Sequence, residues 1–296
     1  MTDTPSRDAW ERGSIEYFRS EWTEQKDDSE HIYPRSDPST QWDAFELPKA
    51  EFVRGLLANS VPAGGRVLEY GCGAAGILIF LANHGYRGVA LDASPEALAI
   101  ARANDRAEAD PGRGTDLEFV VANALTMPFP DGSFECVISN GLLEHFAPEV
   151  VPELLSEVVR VLGPGGLFIA DIAHRRASTR QVAKPINFAV SYLAQIGRGR
   201  GFGMIKLWRA VSTPMYENAF DRTEWHRALT AAGLEGVTVR SFRWPPPLTL
   251  PRRLDRWYGK ALLRFRILRW TVAPQPHNMP LGWVYMAVGR KPGEAP

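Results

Sequence analysis

The residues best placed to do chemistry gather around one glycine turn. Val67-Leu68-Glu69-Tyr70 reads as a strand that runs into Gly71-Cys72-Gly73-Ala74-Ala75-Gly76 and then into a helical pattern. Where a Cβ is missing the backbone can approach a ligand closely, and the amides that open the next helix point toward it. The spacing satisfies G-x-G-x-x-G, and Asp92 ends the following strand 16 residues after Gly76, as in a dinucleotide site. A carboxylate there can accept hydrogen bonds from both hydroxyls of a ribose. Glu69, two residues before Gly71, points to a different ligand. Beside a pyrophosphate its charge costs binding energy, whereas beside an ammonium or a sulfonium it is favourable. The turn is therefore expected to hold a nucleoside with a cationic far end, with a nicotinamide dinucleotide as the alternative. Three further groups, His145, Asp171 and His174, fall just after expected strands, at the sheet edge where ligands collect in open α/β folds. His145 is the first choice for a general base, because the ordinary histidine pKa lies near neutrality, and Asp171 or His174 is its expected helper.

The elements that must position these groups follow from the same pattern. Short β-rich runs at 66–70, 88–92, 117–121, 134–139 and 166–172 alternate with helical spacing at 75–83, 95–109 and 148–162. Such alternation predicts an α/β fold with a parallel sheet. Ser94 before Pro95 and Glu96 marks a helix start, and Gly163-Pro164-Gly165-Gly166 is expected to stop the helix before it. A helix at 222–232 and strands at 236–243 and 282–290 complete the core. Residues 1–60 are expected to form an N-terminal helical cap and 61–172 the cofactor-binding core. Residues 173–220 then form a lid insertion, too long for an ordinary loop. Residues 221–296 return to the core and carry a helical insertion at 245–280. Tyr17, Trp22, Tyr33 and Trp42 in the cap and Trp208 and Tyr216 in the lid are candidates for packing or for lining a substrate pocket.

Composition narrows the class. The chain has 296 residues, 45% of them hydrophobic and 23% charged, enough to bury a sizeable core. No charge-free apolar run reaches the roughly 18 residues of a bilayer span and the first residues lack a signal-like apolar stretch, so a cytoplasmic protein is expected. Cys72 and Cys136 fall in core-like segments and the six histidines are scattered, so neither a disulfide framework nor a metal site is expected. The net charge of zero hides a division: residues 1–173 hold 13 basic and 28 acidic side chains, residues 174–296 hold 21 and 6. The basic part either faces the acidic part or is left for an anionic partner.

Beyond the glycine turn, the chain carries Gly88-Val89-Ala90-Leu91-Asp92-Ala93-Ser94-Pro95, then ALTMPFPDGSF over 124–134, ECVISNGLLEHF over 135–146 and VVRVLGPGGLFI over 158–169. With these motifs in order the sequence resembles the class I S-adenosylmethionine-dependent methyltransferases over residues 50–175, 220–244 and 282–291. The resemblance implies a Rossmann-like, seven-stranded, mostly parallel sheet with helices on both faces. It also implies S-adenosyl-L-methionine as cofactor, held by Glu69, Gly71, Cys72, Gly73, Gly76 and Asp92. In the family's pattern Ala93 packs on the adenine, Asn123 and Ala124 meet its amine, and Asn140, Gly141 and Leu142 pass beneath the methionine moiety. Two positions depart from the family: Asn123 stands for the usual Asp, and Ala75 for the usual Gly.

The implied reaction is methyl transfer to a small molecule of specialised or lipid-linked metabolism, with O-methylation favoured and C- or N-methylation as the other outcomes. An RNA methyltransferase is the main alternative, suggested by the basic C-terminal part, but no RNA-binding module is visible and Ser139-Asn140-Gly141-Leu142 stands where base-methylating enzymes carry Asn-Pro-Pro-Tyr. Between Pro251 and Trp270 seven basic residues are set among aromatic and aliphatic ones, and Leu254, Trp257 or Tyr258, Ala261, Phe265 and Leu268 form one helical stripe. That helix either packs on the domain or makes peripheral contact with an anionic membrane.

Overall fold

A computed structural model describes residues 33–62, 64–110, 114–174, 178–197, 217–243, 245–274 and 282–293. The first acidic stretch of the expected cap, with Tyr17 and Trp22, lies outside them, as do Trp208, Tyr216 and the glycine-arginine run of the lid. The first described helix, α1 (Gln41–Ala58), starts at Thr40, whose side chain accepts from the Asp43 amide while the Asp43 carboxylate accepts from the Thr40 amide. This reciprocal cap satisfies two donors that a helix start leaves open.

Seven strands follow: β1 (Arg66–Tyr70), β2 (Arg87–Asp92), β3 (Leu117–Val121), β4 (Phe134–Asn140), β5 (Leu162–Ala173), β6 (Glu235–Phe242) and β7 (Val284–Arg290). They form one sheet in the order β3-β2-β1-β4-β5-β7-β6, in which only β7 runs antiparallel to its neighbours. Between them lie α2 (Gly76–Asn83), α3 (Pro95–Glu108), α4 (Val151–Val161), α5 (Thr179–Gly197), α6 (Arg222–Ala231), α7 (Arg252–Arg264) and α8 (Arg266–Val272). Residues alternate across the sheet because strand side chains have a period of two. Leu68 and Tyr70 face a core shared with α4 and α6, while Val67, Cys136 and Ile138 face one shared with α1, α2, α3 and α7. This is the expected Rossmann-like sheet with helices on both faces.

Most boundaries fall within two residues of the sequence reading, and three places differ more. Strand β5 begins at Leu162 rather than 166, because Leu162 already pairs with Phe134 and a register irregularity absorbs the glycines. Helix α4 begins at Val151, after the turn in which the Val150 and Val151 amides both donate to the Ala147 carbonyl. The basic run at 251–270 is two helices that meet at Phe265, whose backbone is extended (φ −88°, ψ 117°). Gly259 does not break α7. A Cβ there would lie 2.5 Å from the Thr40 carbonyl oxygen, so the glycine is what lets α7 approach the start of α1. The single expected stripe is also divided: Tyr258, Ala261 and Leu268 pack inward, while Leu254, Trp257 and Phe265 are more than half exposed.

Candidate active site

The sheet order reverses between β1 and β4, and at that switch the carboxyl ends of the strands leave a crevice. A cavity of about 340 Å³ occupies it. One wall is the turn between β1 and α2, where Gly71 and Gly73 take left-handed backbone angles (φ 59° and 49°). A Cβ on Gly71 would run into the Leu142 side chain, so the glycine sets how closely this turn meets the end of β4. Ala75 also sits in the left-handed region (φ 56°) as the N-cap of α2, a conformation in which its Cβ is crowded.

Asp92 closes the second wall. One of its carboxylate oxygens accepts from the Gly73 amide at 2.9 Å and the other from the Ser94 amide at 2.9 Å. The carboxylate thus ties the glycine turn to the start of α3, and each oxygen keeps a second lone pair for a ligand hydroxyl. Burial pushes its pKa up, against the backbone amides of Ser94 and Gly73 that pull it down. Ala93, Asn123 and Ala124 continue this wall; the Asn123 side-chain oxygen accepts from the Leu125 amide at 3.0 Å and so holds its own turn. Opposite stand Asn140, Gly141 and Leu142, with His145 and Phe146 beyond them.

His145 belongs to a single 3₁₀ turn (Leu143–His145) and is 6% exposed on the cavity wall. Two buried groups fix that turn. Glu144 accepts from the Ala173 amide at 3.0 Å, and Asn218, at the far end of the expected lid, donates to the carbonyls of Leu143 and Phe146, each at 3.1 Å. Burial raises the Glu144 carboxyl to about 8.

Of the sequence candidates, Gly71, Cys72, Gly73, Gly76, Asp92, Ala93, Asn123, Ala124, Asn140, Gly141, Leu142 and His145 come together around this one cavity. Glu69 sits behind the turn. It is fully buried, one oxygen accepts from the Leu78 amide at 3.2 Å near the start of α2, and the other has no hydrogen-bond partner. Burial lifts its pKa to about 8, against a lowering pull from Lys49. Asp171 lies below the cavity floor, and His174 stacks on the Tyr285 ring with centroids 3.9 Å apart. Neither is on the cavity wall.

Of the aromatic candidates in the expected cap, Trp42 lines the cavity, but sequence reasoning missed the charged residues of α1: Glu46 also lines the cavity, and Lys49, 2% exposed, sits beside Asn140 of its wall. The Lys49 ammonium reaches Glu46 at 2.5 Å, Asp171 at 2.7 Å and the Asn140 side-chain oxygen at 2.5 Å. Arg243, the residue after β6, donates to Glu46 at 2.6 Å. Burial alone would raise the Glu46 carboxyl, but Lys49 and Arg243 together hold it below the usual range. Helix α1, the ends of β4 and β5, and the end of β6 are thereby bolted through one buried cluster of charges. In the sequence, Glu46 and Lys49 look like an ordinary i,i+3 surface pair, and only their burial distinguishes them.

Comparison with known proteins agrees with this geometry. A family described as a methyltransferase domain matches residues 68–170, from β1 through β5. The chain is 31% identical over 259 residues to the 2-methyl-6-phytyl-1,4-hydroquinone methyltransferase of Synechocystis, covering 85% of this chain and 71% of that protein. It is also 31% identical over 147 residues to a fatty-acid O-methyltransferase of Mycolicibacterium smegmatis, covering 48% and 50% of the two chains. A solved structure concerned with converting a disulfide bond into a thioacetal group during echinomycin biosynthesis shares the fold, with a TM-score of 0.57 at 16% identity over 95% of this chain and 93% of that one. The nicotinamide alternative raised by the glycine spacing gives way to these relatives, and the chain belongs to the class I S-adenosylmethionine-dependent methyltransferases.

Proposed function

We propose that the chain moves a methyl group from S-adenosyl-L-methionine to an apolar small molecule, with a hydroxyl oxygen as the favoured acceptor atom and carbon or nitrogen as the alternatives. The observation that carries this reading is that the glycine turn, Asp92, His145 and the α1 residue Trp42 border a single cavity. The residues present fit the cofactor. The free lone pairs of Asp92 suit the ribose hydroxyls, the left-handed Gly71 and Gly73 leave backbone rather than side chain at the turn, and Ala93 and Ala124 leave room for a flat base. When bound, the cofactor supplies an electrophilic methyl group on a cationic sulfur. Displacement at that carbon needs no protonation of the leaving group, so the protein's work is alignment and exclusion of water.

His145 is the proposed base for an acceptor that carries a proton, since it is the cavity histidine and its turn is pinned from two sides. Of the two expected helpers, Asp171 acts as support by holding Lys49 against Asn140, while His174, stacked on Tyr285, takes no part in the proposed step. Ile77, Leu125, Leu142, Phe146 and Trp42 give the cavity an apolar wall, which suits a hydroquinone or an acyl chain better than a sugar. The relatives point the same way, one acting on a phytyl-bearing hydroquinone and one on fatty acids.

The test has two stages. Calorimetry should show binding of S-adenosylmethionine and of its demethylated product in the micromolar range, with no heat from NAD. Methyl transfer from labelled cofactor should then be followed by mass spectrometry on a panel of alkylated hydroquinones, simple phenols, fatty acids and a structured RNA. Label in the RNA alone would refute the small-molecule reading.

A further inference from the structure

Helix α7 has two faces with different chemistry. Inward, Tyr258, Gly259 and Leu262 pack toward α1, and Asp255 accepts from the Gln41 side chain at 2.6 Å. Outward, Arg253, Trp257, Lys260 and Arg264 follow at steps of four, three and four, which places them on one stripe. Trp257 is 67% exposed, and α8 continues the surface with Ile267 at 77% and Trp270 at 55%. Of the nine large apolar side chains exposed among the described residues, five fall between Leu254 and Trp270. Such clustering of aromatic and aliphatic surface marks an interaction site.

The charge on this surface says what it meets. From 252 to 270 there are seven basic residues and one acid, Asp255, which is turned inward to Gln41. Lys260 pairs with Asp37 and Arg269 with Glu51, so part of the basic run answers the acidic first half of the chain. Arg253, Arg264 and Arg266 form no ion pair with the described residues. Cations beside tryptophan and isoleucine on a helix surface suit the boundary between lipid headgroups and acyl chains, where the rings sit at headgroup depth and the guanidinium groups meet phosphates. A nucleic acid would use the arginines but has no place for exposed Leu254 and Ile267. No helix among the described residues is long and apolar enough to cross a membrane, so the contact would be peripheral.

We propose that α7 and α8 form a docking surface for an anionic lipid bilayer. Helix α7 is fastened to the start of α1 through Gln41, which bonds both Asp255 and the Leu248 backbone, and the next residue, Trp42, is on the cavity wall. A bilayer held at α7 is therefore joined through Gln41 to the helix start that gives Trp42 to the cavity wall, an arrangement that suits an acceptor drawn from lipid. The surface itself stands whether or not the acceptor is apolar.

The experiment is co-sedimentation of the full chain with phosphatidylcholine vesicles, with and without about a third phosphatidylglycerol, at low and high salt. The expected result is pelleting with the anionic vesicles at low salt, little with pure phosphatidylcholine, and release by high salt. Arg253→Glu/Arg264→Glu/Arg266→Glu should weaken binding by roughly a hundredfold or more, since each basic residue near an anionic surface contributes about fivefold. Trp257→Ser/Ile267→Ser/Trp270→Ser should weaken binding at least tenfold, while both variants keep parental cofactor affinity as the check on folding. Failure of the intact chain to pellet at low salt would overturn the proposal, as would unchanged binding of the folded apolar variant or displacement from vesicles by an equal charge of RNA. Because sedimentation involves no methyl transfer, its failure leaves the acceptor reading standing.

Discussion

Replacing Lys49 by methionine removes the centre of the charge cluster beneath the cavity while keeping the length of the side chain. In the intact protein the ammonium lies within 2.5–2.7 Å of Glu46, Asp171 and Asn140, all around a lysine that is 2% exposed. Glu46 keeps Arg243 at 2.6 Å, but the nearest remaining cation to Asp171 is that same Arg243 at 3.9 Å. One buried carboxylate is thus left nearly unpaired, a situation that costs about 3 to 5 kcal/mol. At roughly 2 cal/mol/K per residue, a chain of 296 residues has an unfolding entropy of about 0.6 kcal/mol/K, so the midpoint should fall by about 5 to 8 °C. Scanning calorimetry or fluorescence melting reads this directly. Asn140 also loses a donor, and cofactor affinity should drop by up to about tenfold, one hydrogen bond's net contribution. Lys49→Met/Asp171→Leu should recover at least half of the lost stability, because a buried pair replaced by apolar groups of similar volume is often neutral. A midpoint within 2 °C of the parent for Lys49→Met would refute the argument, since it would mean that the buried carboxylates find water or protons at no cost.

Four other outcomes are expected. Asp92→Ala should weaken cofactor binding by about 1 to 3 kcal/mol in calorimetry, through loss of its hydroxyl acceptors and loosening of the Gly73 and Ser94 amides. His145→Ala should lower turnover on a hydroxyl acceptor by about 10²- to 10⁴-fold with little change in cofactor affinity; normal turnover would leave catalysis to proximity. Ala75→Gly should raise the melting midpoint slightly, since relief of a left-handed alanine, about 1 to 2 kcal/mol, exceeds glycine's entropy cost of roughly 0.5 to 1 kcal/mol. Two of the buried glutamates, Glu69 and Glu46, should give opposite pH trends. Glu69, raised by burial to about 8, binds a proton in the fold that the unfolded chain has released, so its contribution is present below pH 4.5 and is lost as pH rises toward 8. Glu69→Gln should flatten that decline in melts run between pH 5 and 8. Glu46, held below its usual value despite burial, contributes stability above pH 4.5 that disappears as pH falls through its lowered pKa, and Glu46→Gln should remove this acid sensitivity.

What was legible in the sequence was whatever is encoded locally. Strands β1 and β3 match their expected spans residue for residue, and the Ser94-Pro95 start of α3 is where the cap chemistry puts it. The cavity wall was legible for the same reason, because turns after strands are written as glycines and short polar residues, and the chain order of those turns fixes the crevice they share. Two kinds of information were not local. Gly259 reads as a weak point in a helix, yet it serves a contact with Thr40, which is more than two hundred residues away in sequence. Glu46 and Lys49 read as solvated charges, yet the packing of α1 over the ends of β4 and β5 places them among the most buried ionic groups of the described chain. In both cases the residue type is chosen by a partner from the other end of the sequence. The charge division between the halves was the one visible trace of such partners, and Arg243–Glu46, Lys260–Asp37 and Arg269–Glu51 are bonds across it. Arg253, Arg264 and Arg266 are among the basic residues that these bonds do not use, and they form no ion pair with the described residues. Among the described residues, internal pairing therefore joins the acidic half to the basic one without using the arginines that flank Trp257 and Ile267, and these are the cations that the proposed lipid surface would meet.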